Sequence, residues 1–357
     1  MSKLASLVIT LFSLSSSLAA PATPPGFTVG WSVYVGWNPY QYLARSGILK
    51  KWADKYGVAI KVQRFDYAPS LDAFVAKNID ACTMTNMEAL DMPAAAGVDT
   101  TAVIVGDYSN GNDAVLVRHN FPLDQIPGKR VLLVEKTVSQ YLFERAMALN
   151  NLAGELKRVK YVNTSDSDIA GAFLSDPSQD VVVTWKPLVS QILKGKGITS
   201  IFDSSKIPGE ILDLLVVRTE VLNRPDGSGQ RFVKAVTGAW YELTALMSKP
   251  GPESDRVLAA IADASQDTLP SYKEQLATTH MFFTSQSATE MANSPALKNT
   301  MELVRQFCFK HGLLGEKTGS VDDVAVRFPD GSVEGKSDRV RLRFDASYMQ
   351  LAAGGKL

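Results

Sequence analysis

Short apolar runs alternate with segments of helical period along this chain, and the alternation comes in two series. In the first, Val29, Trp31, Val33 and Val35 share one face of a strand over 27–35, and a turn at Gly36-Trp37-Asn38-Pro39 follows. Tyr42, Leu49, Trp52 and Tyr56 then mark one helix face, closed by Gly57. Strands over 58–65, 79–85 and 101–105 alternate with a helix over 70–77. The second series has strands over 114–118, 130–134, 159–162 and 181–184, with helices near 139–149, 168–174 and 188–193. A further apolar strand over 211–217 leads into long helices near 231–247, 254–264 and 295–311.

This order favours mainly parallel sheets with helices on both faces. The second series, inserted within the first, predicts an α/β chain of two lobes. The crossings fall near Asn112-Asp113-Ala114 and near Asp213-Leu214-Leu215. Lobe one then holds 27–112 and 216–357, and lobe two holds 114–213. A ligand belongs where strand ends of the two lobes face each other.

Composition narrows the function. Lys+Arg and Asp+Glu both number 37, so the formal net charge is zero, and no polyanion-binding bias points to a nucleic-acid partner. Lys3, an apolar or small stretch over 4–18 and the exit Ser17, Ala19, Ala20 read as a secretory signal peptide over 1–22. The run is short for a bilayer span, which needs ~20 apolar residues. No Cys follows it to carry a lipid, and no later segment is apolar enough to span. The expectation is an exported, periplasmic protein, soluble after signal removal and working as a monomer.

Cys82 falls in a strand, and Cys308 lies on the helical stripe Leu297, Met301, Val304, Cys308. Both read as small buried hydrophobes. The three histidines, His119, His280 and His311, have no paired spacing for a metal. No nucleophile elbow or phosphate-binding loop appears. The reading is a non-enzyme without cofactor or metal.

Several stretches resemble the substrate-binding proteins of nitrate/sulfonate/taurine-type ABC importers. They include Trp37-Asn38-Pro39-Tyr40, Lys77-Asn78-Ile79-Asp80-Ala81 and Asn112-Asp113-Ala114-Val115-Leu116-Val117. Ile126-Pro127-Gly128-Lys129-Arg130-Val131 and Val183-Thr184-Trp185-Lys186-Pro187 are others. The resemblance covers nearly all of the chain after the signal segment. Within that family it is most similar to the urea-carboxylase-associated branch, whose substrates are urea-like or guanidine-like. It implies a type II periplasmic-binding-protein-like fold, two hinge crossings, closure around a small molecule and a membrane ABC permease as partner.

Strand ends supply the binding candidates. Trp37, Asp66, Asn86, Glu88, Asp113 and Trp185 are the first choices, with Ser32, Tyr34, Asn38, Glu135, Ser139 and Asp166 behind them. Tyr67, Thr85, Asn110, Asn112 and Asn163 also fall at strand ends, whereas Asp213 reads as serving the hinge. The acids outnumber the nearby bases Arg64, Lys136 and Lys186, while an anion site wants Arg, Lys or free helix N–H groups. Guanidinium presents paired N–H donors to a carboxylate and a face to Trp. Guanidine is the expected ligand, with Glu88 as bidentate acceptor. Binding of urea, or of nitrate, a sulfonate or taurine, is the alternative, with a ligand-binding sensor module or a pyrimidine-synthase-like enzyme as a further one.

Overall fold

The computed structural model describes residues 23–316 and 318–357. The expected signal segment, 1–22, lies outside the described residues.

Strand β1 (Gly26–Trp31) pairs in parallel with β2 (Ala59–Arg64) on one side and β3 (Ala81–Thr85) on the other. After β4 (Thr100–Ser109) the chain leaves this sheet through residues 110–112. It then builds a five-stranded sheet from β5 (Asp113–Arg118), β6 (Arg130–Leu133), β7 (Lys160–Asn163), β8 (Val181–Trp185) and β9 (Ile198–Asp203), in the order β7-β6-β8-β5-β9. Residues 204–211 lead back, and β10 (Leu212–Arg218) inserts between β3 and β4. Strands β11 (Thr279–Met281), β12 (Ala325–Arg327), β13 (Val333–Glu334) and β14 (Val340–Phe344) complete a nine-stranded sheet. Helices flank both sheets.

Three expectations need correction. The sheets are mixed rather than mainly parallel: β10 runs against both β3 and β4, and β5 runs against both β8 and β9. The antiparallel members include the two strands that the chain enters directly after each crossing. The return crossing is 204–211, so Asp213-Leu214-Leu215 lies inside β10 in the large sheet and not at a hinge. The expected helix face from Tyr42 to Tyr56 is split into Pro39–Arg45 and Ile48–Tyr56. Gly47, at φ +82°, takes the left-handed conformation that breaks it. Gly57, also left-handed, ends the second piece as its position suggested, with its N–H on the carbonyls of Ala53 and Asp54.

All residues of β3 and β10 are buried, which fits their largely apolar sequences and their central place in the large sheet. The two crossings are stitched together. The Ser109 and Ser204 hydroxyls are 2.7 Å apart, and Ser204 Oγ also accepts the Gly111 N–H at 2.7 Å. Cys82 and Cys308 are buried and free.

Helix Ser228–Ser248 packs on Ile48–Tyr56, and Gly238 lies flush against Trp52. Trp52 Nε1 donates to Glu242 at 2.7 Å, which fixes the ring. Gly to Ala inside a helix ordinarily gains about 0.5–1 kcal/mol. Here the new Cβ would meet the indole at 2.4 Å. Overpacking costs about 1–3 kcal/mol and outweighs the gain. Gly238→Ala should therefore lower the melting temperature; a raised one would show that the contact yields freely.

Candidate functional site

The carboxyl end of β3, the amino end of β10 and the outer part of β4 lie abreast. Asp213 is in register with Thr85 on one side and Asp107 on the other. The segment after β1 carries Ser32, Tyr34 and Trp37 across the same edge. From the second sheet come Asp113 and Trp185, directly paired on β5 and β8. Together with Val33, Tyr67, Val138 and Ile211, the residues Ser32, Tyr34, Trp37, Thr85, Asp113, Trp185 and Asp213 line a small cavity between the two sheets.

Four aromatic rings form its walls. Trp37 lies 5.1 Å from Tyr34 and 5.3 Å from Tyr67 between ring centroids, and Tyr67 meets Trp185 edge-on at 6.1 Å. No Lys, Arg or His lines the cavity among the described residues.

Its charged groups are carboxylates. Asp113 and Asp213 line it, and Asp107 lies behind Asp213 against the backbone of Gly36. All three are buried. Burial, and then the Glu88 charge, push Asp113 up to about 7. Burial, with the Asp113 charge added, pushes Asp107 up to about 7 as well. Burial and the Asp107 charge raise Asp213 well above the usual carboxylate range. Burial and the same three carboxylates raise the Tyr34 hydroxyl, leaving it a neutral donor.

Asp107 and Asp213 are hydrogen-bonded to each other, sharing a proton, and the Tyr34 hydroxyl donates to the pair. Two other buried polar atoms of the lining, Oγ of Ser32 and Nε1 of Trp37, have no hydrogen-bond partner among the described residues. A buried polar group left unpaired costs about 1–3 kcal/mol, so both suit a ligand with polar groups of its own.

The candidates from sequence divide. Trp37, Asp113, Trp185, Ser32 and Tyr34 line the cavity. Glu88 does not. It is buried and its oxygens are already used, accepting from the Tyr67 hydroxyl at 2.9 Å, the Val138 N–H at 3.0 Å and the Thr85 hydroxyl. It ties the two lobes together as a structural acid. Asn86 is likewise spent on backbone, donating to the Glu210 carbonyl and accepting the Leu212 N–H. Asn38 and Ser139 are buried off the cavity, and the Glu135 N–H is held by Asn163. Asp66 and Asp166 line an outer groove that adjoins the cavity.

Two acids of this junction are not among the sequence candidates: Asp213 reads there as serving the hinge, and Asp107 is not singled out. The available signal was chemical: each is a lone acid in an otherwise apolar strand run.

No protein-family model matches this sequence, and no curated protein does. Solved structures match in shape. The alkanesulfonate-binding protein SsuA from Xanthomonas axonopodis pv. citri, bound to MOPS, superposes with a TM-score of 0.63 at 16% identity, over 83% of this chain and 96% of that one. The periplasmic aliphatic sulphonate binding protein SsuA from Escherichia coli gives 0.63 at 18%, over 83% and 95%. This chain has the periplasmic-binding-protein-like fold. The fold is not confined to binding proteins: the desulfurization enzyme DszB gives a TM-score of 0.56 at 14% identity, over 93% of this chain and 100% of that one. Among the described residues no helix is long and apolar enough to cross a membrane, and no His/Cys/Asp/Glu group suits a metal.

The raised carboxylates set a pH dependence. Asp107 and Asp113 titrate near 7 when folded and near the ordinary Asp value of about 3.9 when unfolded. Their contribution to stability is complete below about pH 4 and is lost as the pH rises through 7. The ligand-free protein should melt at a lower temperature at pH 8 than at pH 5.5. Asp107→Asn should flatten that slope, and a slope unchanged in the variant would contradict the assignment.

Proposed function

We propose that this chain is the solute-binding protein of an ABC importer and that it captures a small cation, best matched by guanidinium, outside the cytoplasm. The single observation that supports this most is the convergence of buried acids and aromatic rings on a cavity lined by no base. A planar cation would give N–H donors to Asp113 and Asp213 and lay its faces on Trp37, Tyr67 or Trp185. Cation–π contacts of this kind contribute about 0.5–2 kcal/mol as they are desolvated. Urea would meet the same acceptors without the charge.

The anion alternative has less to stand on. A helix start offers N–H groups to anions, and helix Val138–Leu149 begins at the cavity. Its Val138 N–H is already taken by Glu88, and the Ser139 N–H by Thr137. A sulfonate brought here would face Asp113 and Asp213 instead. Asp113 and Trp185 are held by the second lobe, and Ser32, Trp37 and Asp213 by the first. A ligand touching both sets would favour the closed arrangement.

A thermal-shift screen of guanidine, methylguanidine, urea, taurine, nitrate and aliphatic sulfonates tests the reading, because binding to the folded state alone raises stability. Guanidine should give the largest shift. Four heavy atoms at about −1.5 kcal/mol each imply a Kd on the order of tens of micromolar. Asp213→Asn keeps the shape and removes the charge. It should weaken guanidine by ~1.5–3 kcal/mol in a calorimetric titration. A sulfonate or nitrate shift exceeding that of guanidine would overturn the cation reading.

A further inference from the structure

We propose that the ligand is a dication: a guanidinium in the inner cavity, joined by a short aliphatic chain to an ammonium held between Asp66 and Asp166. This rests on the cation reading of the inner cavity. The outer groove opens directly off that cavity, since Ser32, Val33, Tyr67 and Trp185 line both. Asp66 follows β2 in the first lobe and Asp166 follows β7 in the second, and both line the groove. Asp66 stands at the N-cap position of helix Tyr67–Val75 and makes no capping bond, so the helix does not claim its carboxylate. Asp166 is half-buried, accepts backbone N–H bonds that include the Tyr67 N–H of the first lobe, and feels the Asp66 charge, which sets the two acids beside the same helix start.

An independent observation marks the passage as polar. Ser32 is 2% exposed, lines both compartments, and its hydroxyl has no partner among the described residues. An N-alkylated guanidinium threading from cavity to groove carries an N–H donor past that oxygen. The walls between are Val33, Tyr67 and Trp185, which suit methylenes. Arg64 lies exposed on the groove rim. With two acids against one base, the groove still favours a positive tail end.

The test is calorimetric titration with methylguanidine, n-butylguanidine and 4-aminobutylguanidine, the last two differing in tail charge. The amine-ended ligand should bind roughly five- to tenfold tighter than the butyl one, the return expected from a partly exposed ammonium. Raising the salt concentration should shrink that ratio. The double variant Asp66→Asn, Asp166→Asn should bring it to about one, and Asp166→Asn alone should halve the effect or more. A ratio near one in the parent protein, or a ratio that survives the double variant, overturns the proposal. If methylguanidine itself does not bind, the cation reading of the inner cavity falls and takes this inference with it.

Discussion

Three carboxylates, Asp107, Asp113 and Asp213, are buried at one junction, and among the described residues no base lines the cavity beside them. Burying an ionised carboxylate without a partner is among the costliest things a fold can do. The molecule answers by raising their pKa values, so that near neutrality a proton substitutes for the missing cation. That state is serviceable for the empty protein and improvable by any ligand that brings positive charge and N–H donors. The acids sit at the strand ends where the chain crosses from the large sheet to the small one. The same constraint therefore bears on ligand choice and on the junction between lobes.

The lobes are held together by polar contacts, one of them at the cavity wall. Glu88 reaches from the first lobe to the Val138 N–H of the second. Glu144, on helix Val138–Leu149, meets Lys310 at 2.8 Å and His311 at 3.0 Å from the large-sheet lobe. Burial works against the charged form of Glu144, but hydrogen bonds from His311, Lys310 and Gln140 hold its carboxyl down at about 2. Arg145 and Tyr141 both grip Glu210 in the return crossing, at 2.6–2.7 Å.

Much of the fold was legible because local pattern and tertiary need agree. The apolar runs of β3, β8 and β10 and the helices Val138–Leu149 and Pro295–Lys310 fall close to where periodicity sets them. The split at Gly47 was less visible, since the apolar stripe runs on through it. Strand β9 was missed because its Thr199, Ser200 and Asp203 dilute its apolar signal. The parallel bias followed from assuming simple crossovers, which a strand re-entering from another sheet does not obey. Strand-end logic placed Trp37, Asp113 and Trp185 where the structure has them, on the cavity wall. It did not show that Glu88 points away from the cavity, because its partners Tyr67, Thr85 and the Val138 N–H are distant in sequence or hidden in turn geometry. It passed over Asp107, whose role depends on β10 pairing across it, a long-range fact that no local window contains.

The central claim is that buried, partly protonated acids await a cation. Proton linkage tests it directly. Guanidine binding should be titrated calorimetrically at pH 7 in buffers of differing ionisation heat, where Asp107 and Asp113 stand near half-titration. The account predicts release of roughly one proton per guanidine bound, with affinity rising from pH 6 to pH 8. Binding with no proton released, or with protons taken up, would contradict it.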